Sequence, residues 1–366
     1  MRPSLGDEEL AQVKQVLDSG WLAQGPKVKE FERKLAEYLR AKHVLATSSC
    51  TTALELALES IKAKPGSEVV VPDFTFPATG NAVLREGHTL GLVDVTPKEW
   101  SMDLGIVAKR VSRKTSCIIP VHPFGHPLDE DELYEMARSN GLEVIEDAAT
   151  AIGARHRGTR VGSRGKAVCF SFHPRKILTT GEGGCLSTDD DEVHERASAL
   201  RNHGQVRSKD GYKFIYNAHN YRMSDIQAAV GVAQLAKMDR MIENRRRMAH
   251  LYTELLERVK LPLEFQAEDA LSYCTYQSYV VRLKGRLATS RKSITKSLRE
   301  KYRIETQLGT YSLHEQPAFK KARSFGKIVN GPRLFRTSLT LPLYDSLTEE
   351  EQRYVVDSLV KVAESI

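Results

Sequence analysis

The chain predicts an α/β protein: a large domain whose mostly parallel central sheet is covered by helices, followed by a smaller C-terminal α+β domain. Three observations carry this. Short apolar runs alternate with helical patterns from His43 onward. The runs are apolar on both faces, as in parallel strands buried between two helical layers. After Pro262 and the polar QAEDA segment the order changes to a strand, a basic helix, an irregular stretch and a closing helix. The expected division is 1–245 and 246–366.

The elements follow in order. GDEELAQVKQVLDSG places Leu10, Val13 and Leu17 on one helical face and stops at Gly20. KVKEFERKLAEYLRA is a second helix, with Val28, Phe31, Leu35 and Leu39 at helical spacing. HVLAT predicts the first strand and TTALELALESI the helix behind it. SEVVVP, HTLGLVDV, TSCIIPV, LEVIED and KAVCFSF continue as strands, with helical stretches around Asn81–Arg85 and from Glu130 to Ser139. Ser224 and Gln227 form a capping box for a long helix carrying Ile226, Val230, Ala233, Met238 and Met241 and running to about Val259. YQSYVVRL predicts a strand of the small domain, and Thr348 with Glu351 caps the closing helix.

With 366 residues, 41% apolar and 28% charged, the chain is of ordinary globular composition. No apolar run is long enough to span a bilayer. The start, MRPSLGDEELAQ, turns acidic and lacks the apolar stretch of a signal peptide, so the expected location is the cytoplasm and no membrane partner is expected. The five cysteines are odd in number with no CxxC spacing, which predicts reduced core thiols and no metal site. The net charge of +7 is spread out, with one concentration in residues 284–303, eight Lys or Arg against one Glu. That segment holds a single aromatic and matches no nucleic-acid module, so no nucleic-acid partner is expected. It reads as a solvated helix face, or as a helper in holding anionic substrates.

In open α/β sheets, ligands sit beyond the carboxyl ends of the strands, so the residues just after each apolar run matter most. After HVLAT come Ser48, Ser49, Cys50, Thr51 and Thr52. Small hydroxyl residues at a helix start cap it, and they also cradle a phosphate with free N–H groups and the helix dipole. After VIE comes Asp147, which suits a metal ligand, a base, a partner for a protonated ring nitrogen, or a cap. After SEVVV comes Asp73-Phe74-Thr75-Phe76, offering a ring to lie against a planar ligand. After AVCFSF, in SFHPRKILTTGEGG, comes Lys176, a surface charge or, if desolvated, a nucleophile toward carbonyls. Phosphate cradle, aromatic plane, strand-end acid and strand-end lysine are together what pyridoxal phosphate needs. The glycines of GEGG are no P-loop, and the histidines of HPFGHP lack helical spacing geometry for a metal.

Across essentially its whole length the sequence resembles the sugar aminotransferases of the DegT/StrS group, within the fold-type I pyridoxal-phosphate enzymes. The pieces that carry the likeness are SGWLAQGPKVKEFERKLAEYL, SSCTTALELAL, EDAATAIGA, SFHPRKILTTGEGG and NYRMSDIQAAVG. The resemblance implies pyridoxal 5'-phosphate as cofactor, held covalently by Lys176, which also shuttles protons. It implies Asp147 at the pyridine nitrogen, Thr51, Thr52 and Ser171 at the phosphate, and Phe76 stacked on the ring. Asn220 is expected to reach the phosphate of the neighbouring subunit, which implies a homodimer with shared active sites. Two positions depart from the group's pattern: Cys50 stands where it usually has Gly, and Thr150 where it often has Gln or His against the ring. Tyr221, Arg222 and His314 are candidates for substrate contact or for packing in turns.

The function so implied is transfer of an amino group from glutamate to a keto sugar, a nucleotide-linked 4-keto-6-deoxyhexose, with C4 favoured over C3, for amino-sugar or polysaccharide biosynthesis. The competing reading is a catalytically silent regulatory or sensory relative of the same fold. The presence of both Lys176 and Asp147 speaks against it. An amino-acid aminotransferase shares the chemistry but not this set of motifs.

Overall fold

A computed structural model of the chain describes residues 3–61 and 63–366. Its centre is an eight-stranded sheet in the spatial order 43–47, 184–188, 167–171, 143–147, 115–118, 68–72, 89–93 and 323–324. From strand 167–171 to strand 323–324 all neighbours run parallel. The sheet is closed on both faces, which is why its strands read as unbroken apolar runs. Strand Ala167–Ser171 shows both sides at once. Ala167 and Cys169 join the core with Leu54, Val69 and Ile145, while Val168 and Phe170 join the one with Phe31, Leu35 and Met238. All five cysteines are free and buried.

One strand breaks the parallel pattern and carries no strong sequence signal. Gly184–Thr188 lies between 43–47 and 167–171 and is antiparallel to both. Residues 172–183 connect it to Ser171 without a crossover helix, so the chain turns back in a wide hairpin; only a crossover connection would have kept it parallel. Lys176 sits in that hairpin. Gly184 allows the reversal to close tightly. A Cβ there would lie 2.4 Å from the Cys50 amide nitrogen and 2.7 Å from the Phe170 carbonyl oxygen.

Helices form largely where the apolar spacing places them, and two expectations are corrected. The first helix, Asp7–Ser19, does not bury Leu10, Val13 and Leu17: Leu10 and Leu17 are exposed, and Glu9 and Val16 turn inward. A polar latch decides the rotation. The Glu9 carboxylate accepts Gln234 Nε2 at 2.8 Å and pairs with Lys237 Nζ at 2.7 Å, docking the helix on helix Asp225–Ala236. The long helix expected from Ser224 is two, Asp225–Ala236 and Met238–Arg258, separated at Lys237. The capping box is present, Ser224 Oγ accepting the Gln227 N–H at 3.3 Å and Gln227 Oε1 the Ser224 N–H at 3.0 Å.

Helix Met238–Arg258 changes cores along its length. Met238, Met241 and Ile242 pack beneath the large sheet, whereas Met248, Tyr252 and Leu256 pack with the three-stranded antiparallel sheet of 263–265, 279–283 and 338–341. The chain then returns: Leu313 and Phe319 enter the large core, and strand Arg323–Ser324 completes the large sheet. The C-terminal region is thus tied to the large sheet at a second place.

Buried carboxylates make several of these long-range ties. Asp225 accepts backbone N–H groups of Gly25, Lys27 and Val28 at 2.8, 3.0 and 2.9 Å, capping helix Pro26–Leu39 from about two hundred residues away. Asp94 does the same for helix Asn330–Thr337 through Val329, Asn330 and Gly331. Asp225→Ala strands three buried donors and is expected to cost about 2–4 kcal/mol. A fall in the urea midpoint of that size, with an unchanged m-value, is the check.

Candidate active site

The site is assembled where the carboxyl ends of the central strands meet the start of helix Cys50–Ser60. Ser49 is the N-cap: its Oγ accepts the Thr52 N–H at 3.2 Å, and Thr52 Oγ1 returns the bond to the Ser49 N–H at 3.1 Å. The amides of Cys50 and Thr51 precede the first intrahelical bond and are free to receive an anion at the positive end of the helix. Thr51 has no side-chain partner within the loop, while Thr52 is spent largely on capping. The Gly184 strand presses directly on this loop, which holds it in place. Ser171 is buried beside it, and its Oγ lies 3.4 Å from the His173 N–H.

Asp147 ends strand Glu143–Asp147, in register with Cys169 of the strand that leads into the lysine hairpin. It is buried. Its Oδ2 accepts Thr79 Oγ1 at 2.7 Å and its Oδ1 accepts the Ala149 N–H at 3.1 Å. Burial pushes the carboxyl above its ordinary pKa, and these two donors offset part of that. Lys176 is half-buried in the hairpin floor. Desolvation holds its ammonium below the usual lysine range, with Cys50 and Asp147 pulling the other way. A lowered lysine is a better nucleophile toward a carbonyl. Lys176, Asp147 and Cys50 therefore share one electrostatic environment, and burial drives the Cys50 thiol well above its ordinary value, so it sits there neutral.

Phe76 caps helix Pro77–Arg85 and is 63% exposed, its ring meeting only the edge of Tyr311 at 6.2 Å. A large exposed ring at the mouth of a polar site offers a stacking face. Thr150 donates its hydroxyl to the His122 carbonyl at 2.7 Å. His314 is positioned by Asp73, which accepts the His314 N–H at 2.8 Å and lies 3.0 Å from His314 Nδ1; Ser312 Oγ binds the other carboxylate oxygen at 2.6 Å. That arrangement suits a proton on Nδ1 directed at the carboxylate.

The NYRM segment borders the Ser48–Thr52 turn through the Ser48 N–H bond to the Tyr221 carbonyl at 2.9 Å. Asn220 is exposed. Tyr221 and Arg222 carry structural partners: Tyr221 donates to Glu55 at 2.7 Å and stacks on His219, and Arg222 binds Asn202. Sequence reasoning missed Thr79 and Asp73. Thr79 follows three residues after Phe76 on the same helix turn, a spacing that signals a shared face, but nothing local says that the face meets Asp147.

A desolvated lysine facing a strand-end acid, an uncommitted amide cradle and an open ring define a pyridoxal-phosphate enzyme of the fold-type I aminotransferase class. The chain belongs to the DegT/DnrJ/EryC1/StrS aminotransferase family, whose profile matches residues 3–360. It is 35% identical over 362 residues to GDP-perosamine synthase of Caulobacter vibrioides, covering 98% of this chain and 96% of that one. It is 32% identical to the spore coat polysaccharide biosynthesis protein SpsC of Bacillus subtilis, over 98% and 95% of the two chains. Among solved structures, PseC of Helicobacter pylori, an aminotransferase involved in the biosynthesis of pseudoaminic acid, superposes with a TM-score of 0.94 at 25% identity, over 100% and 98% of the chains. Spr1654 of Streptococcus pneumoniae, solved in its pyridoxal-phosphate form, superposes at 0.92 with 27% identity, over 100% and 98%. The family is pyridoxal-phosphate-dependent, and the protein is a sugar aminotransferase by family. No helix among the described residues is long and apolar enough to cross a membrane.

The pKa of Asp147 makes a stability prediction. A carboxyl whose folded pKa is raised costs nothing when protonated, below its unfolded pKa; the cost grows as pH rises through the folded value. Asp147→Asn is therefore expected to raise the melting temperature of the cofactor-free protein at pH 7–8 and to leave it unchanged near pH 3. A neutral-pH melting temperature at or below that of the parent protein contradicts it.

Proposed function

We propose that the protein transfers the amino group of glutamate to the keto carbon of a nucleotide-linked sugar, with a 4-keto-6-deoxyhexose as acceptor and amination at C4 favoured over C3. The observation that supports this is the electrostatic coupling of Lys176 and Asp147 beside an amide cradle. The same pair speaks against a catalytically silent regulatory relative. Names of similar proteins add the substrate class. Two, from Caulobacter vibrioides and Escherichia coli, are GDP-perosamine synthases, which favours a guanosine-diphosphate-linked acceptor.

In this reading the Cys50 and Thr51 amides, with Thr51, Thr52 and Ser171, hold the cofactor phosphate, and Phe76 covers the ring. Thr150 borders the ring while its hydroxyl stays on the His122 carbonyl. Asp147, oriented by Thr79 and the Ala149 N–H, keeps the ring nitrogen protonated. When bound, the cofactor supplies an aldehyde and an electron-accepting ring. Lys176 Nζ would hold the cofactor covalently, and its amine would serve as the proton carrier at the reacting carbon. His314 Nε2 accepts from a sugar hydroxyl, and Tyr221 and Arg222 frame Asn220 at the edge of the site.

The partners are small molecules and a second copy of the chain. Leu5, Leu10, Leu17, Trp21 and Leu22 are all exposed on the N-terminal segment and would be covered by a second copy. Exposed Asn220 then serves the neighbouring subunit's phosphate.

Two experiments test the reading. Lys176→Ala is expected to abolish the visible band of the lysine-bound cofactor and lower kcat by at least ~10²–10⁴-fold. Bleaching of the parent band by glutamate, and its return with a nucleotide keto sugar, identifies both substrates; a colourless parent protein refutes the assignment. Leu10→Asp with Leu17→Asp is expected to convert a dimer to a monomer in sedimentation equilibrium and to weaken cofactor retention. A parent protein that sediments as a monomer removes the shared-site proposal.

A further inference from the structure

The lysine hairpin is held by a residue 100 positions further along the chain. Gln277 is 3% exposed and belongs to the segment that leads into the small-domain strand Tyr279–Leu283. Its Oε1 accepts the Ile177 N–H at 2.9 Å, and its Nε2 donates to the Arg175 carbonyl at 2.5 Å. These are the two peptide groups that flank Lys176. One side-chain amide thus holds both peptide planes on either side of the lysine Cα, which fixes the lysine backbone and leaves only its side-chain torsions free.

The segment carrying Gln277 is itself held in unusual conformations. Phe124 and Tyr276 have left-handed φ of 59° and 47°, and Gly125 has φ of 98°. For bulky aromatic residues this conformation costs energy and persists only where surrounding contacts enforce it. Here the two strained turns lie against each other, the Thr275 N–H bonding to the Gly125 carbonyl at 2.9 Å. A Cβ at Gly125 would lie 2.8 Å from the Gln277 backbone nitrogen, so the approach is as close as the backbones allow. Buried Arg245 binds the Gln277 carbonyl from the other side at 3.3 Å and the Leu343 carbonyl at the same distance. Gln277 therefore extends toward the hairpin from a support braced on both sides.

We propose that Gln277 is a positioning residue for Lys176, fixing the point from which the amine swings and tying the hairpin to the small domain. This rests on the assignment of Lys176 as the lysine that holds the cofactor. Arg175, next to it, acts here through its carbonyl, and its guanidinium reaches Gln307 Oε1 at 3.2 Å, a second tie from the hairpin to the C-terminal region. The amine has to serve both as covalent anchor and as proton carrier, so an error in its origin affects each step.

The test compares Gln277→Met, which keeps the volume and removes both hydrogen bonds, with Gln277→Glu, which keeps only the acceptor for the Ile177 N–H. In the cofactor-free protein, amide exchange at Ile177 is expected to accelerate in the Met variant and to stay near the parent rate in the Glu variant. In the loaded protein both variants are expected to shift the pH midpoint of the visible band. Both should also lower kcat by about 10²-fold with the glutamate KM changed far less. Borohydride trapping followed by peptide mapping separates this inference from the assignment beneath it. Cofactor trapped on Lys176, with exchange, band midpoint and kcat unmoved in both variants, overturns the clamp alone. Cofactor trapped on any other residue overturns both. A lower melting temperature with an unmoved band midpoint marks a merely structural glutamine and also overturns the proposal.

Discussion

A carboxylate at the end of one central strand and an amine in the hairpin that follows its parallel neighbour are both desolvated, and much of the architecture serves to make that tolerable. Isolated buried charges are costly, and each group responds by moving toward its neutral form, Asp147 upward and Lys176 downward. Those shifts are what the chemistry needs, because an amine near neutrality attacks a carbonyl. Thr79 and the Ala149 N–H supply part of the missing solvation. The buried Asp147 carboxylate thus carries an electrostatic cost at neutral pH.

Holding such a site requires rigidity from outside its own strands. Three buried carboxylates bind segments far apart in sequence: Asp225 caps the second helix, Asp94 caps the helix starting at Asn330, and Asp73 holds the loop bearing His314. Each satisfies several backbone or side-chain donors at once, which turns a group costly to bury into a local organiser. The Gln277 amide makes a tie of the same kind, joining the lysine hairpin to a segment a hundred residues away. The antiparallel strand at Gly184 adds to this rigidity, since its close approach packs it tightly against the Ser48–Thr52 turn.

Most of the fold was legible because the parallel strands are buried on both faces and read as apolar runs, and because the capping boxes at Ser224 and Thr348 are local signals. The strand Gly184–Thr188 escaped because its identity depends on a loop that reverses without a helix. The first helix was rotated from its apolar pattern because a buried Glu9 latch outweighed two leucines, and those leucines stay available for a partner surface. The break at Lys237 is a local backbone change with no proline or glycine to announce it.

By itself the sequence determined the α/β class, the order of strand-end residues and the family, since these depend on periodicity and on motifs a few residues long. Asp147, Lys176 and the Ser48–Thr52 turn were readable because each follows directly on an apolar strand. Only the tertiary structure decided what stands behind them. Thr79 on Asp147, Asp73 under His314 and Gln277 across Lys176 join positions separated by 68, 241 and about a hundred residues. Hydrogen bonds at such separations leave no periodicity and no local spacing, so their partners become visible only when the chain has packed.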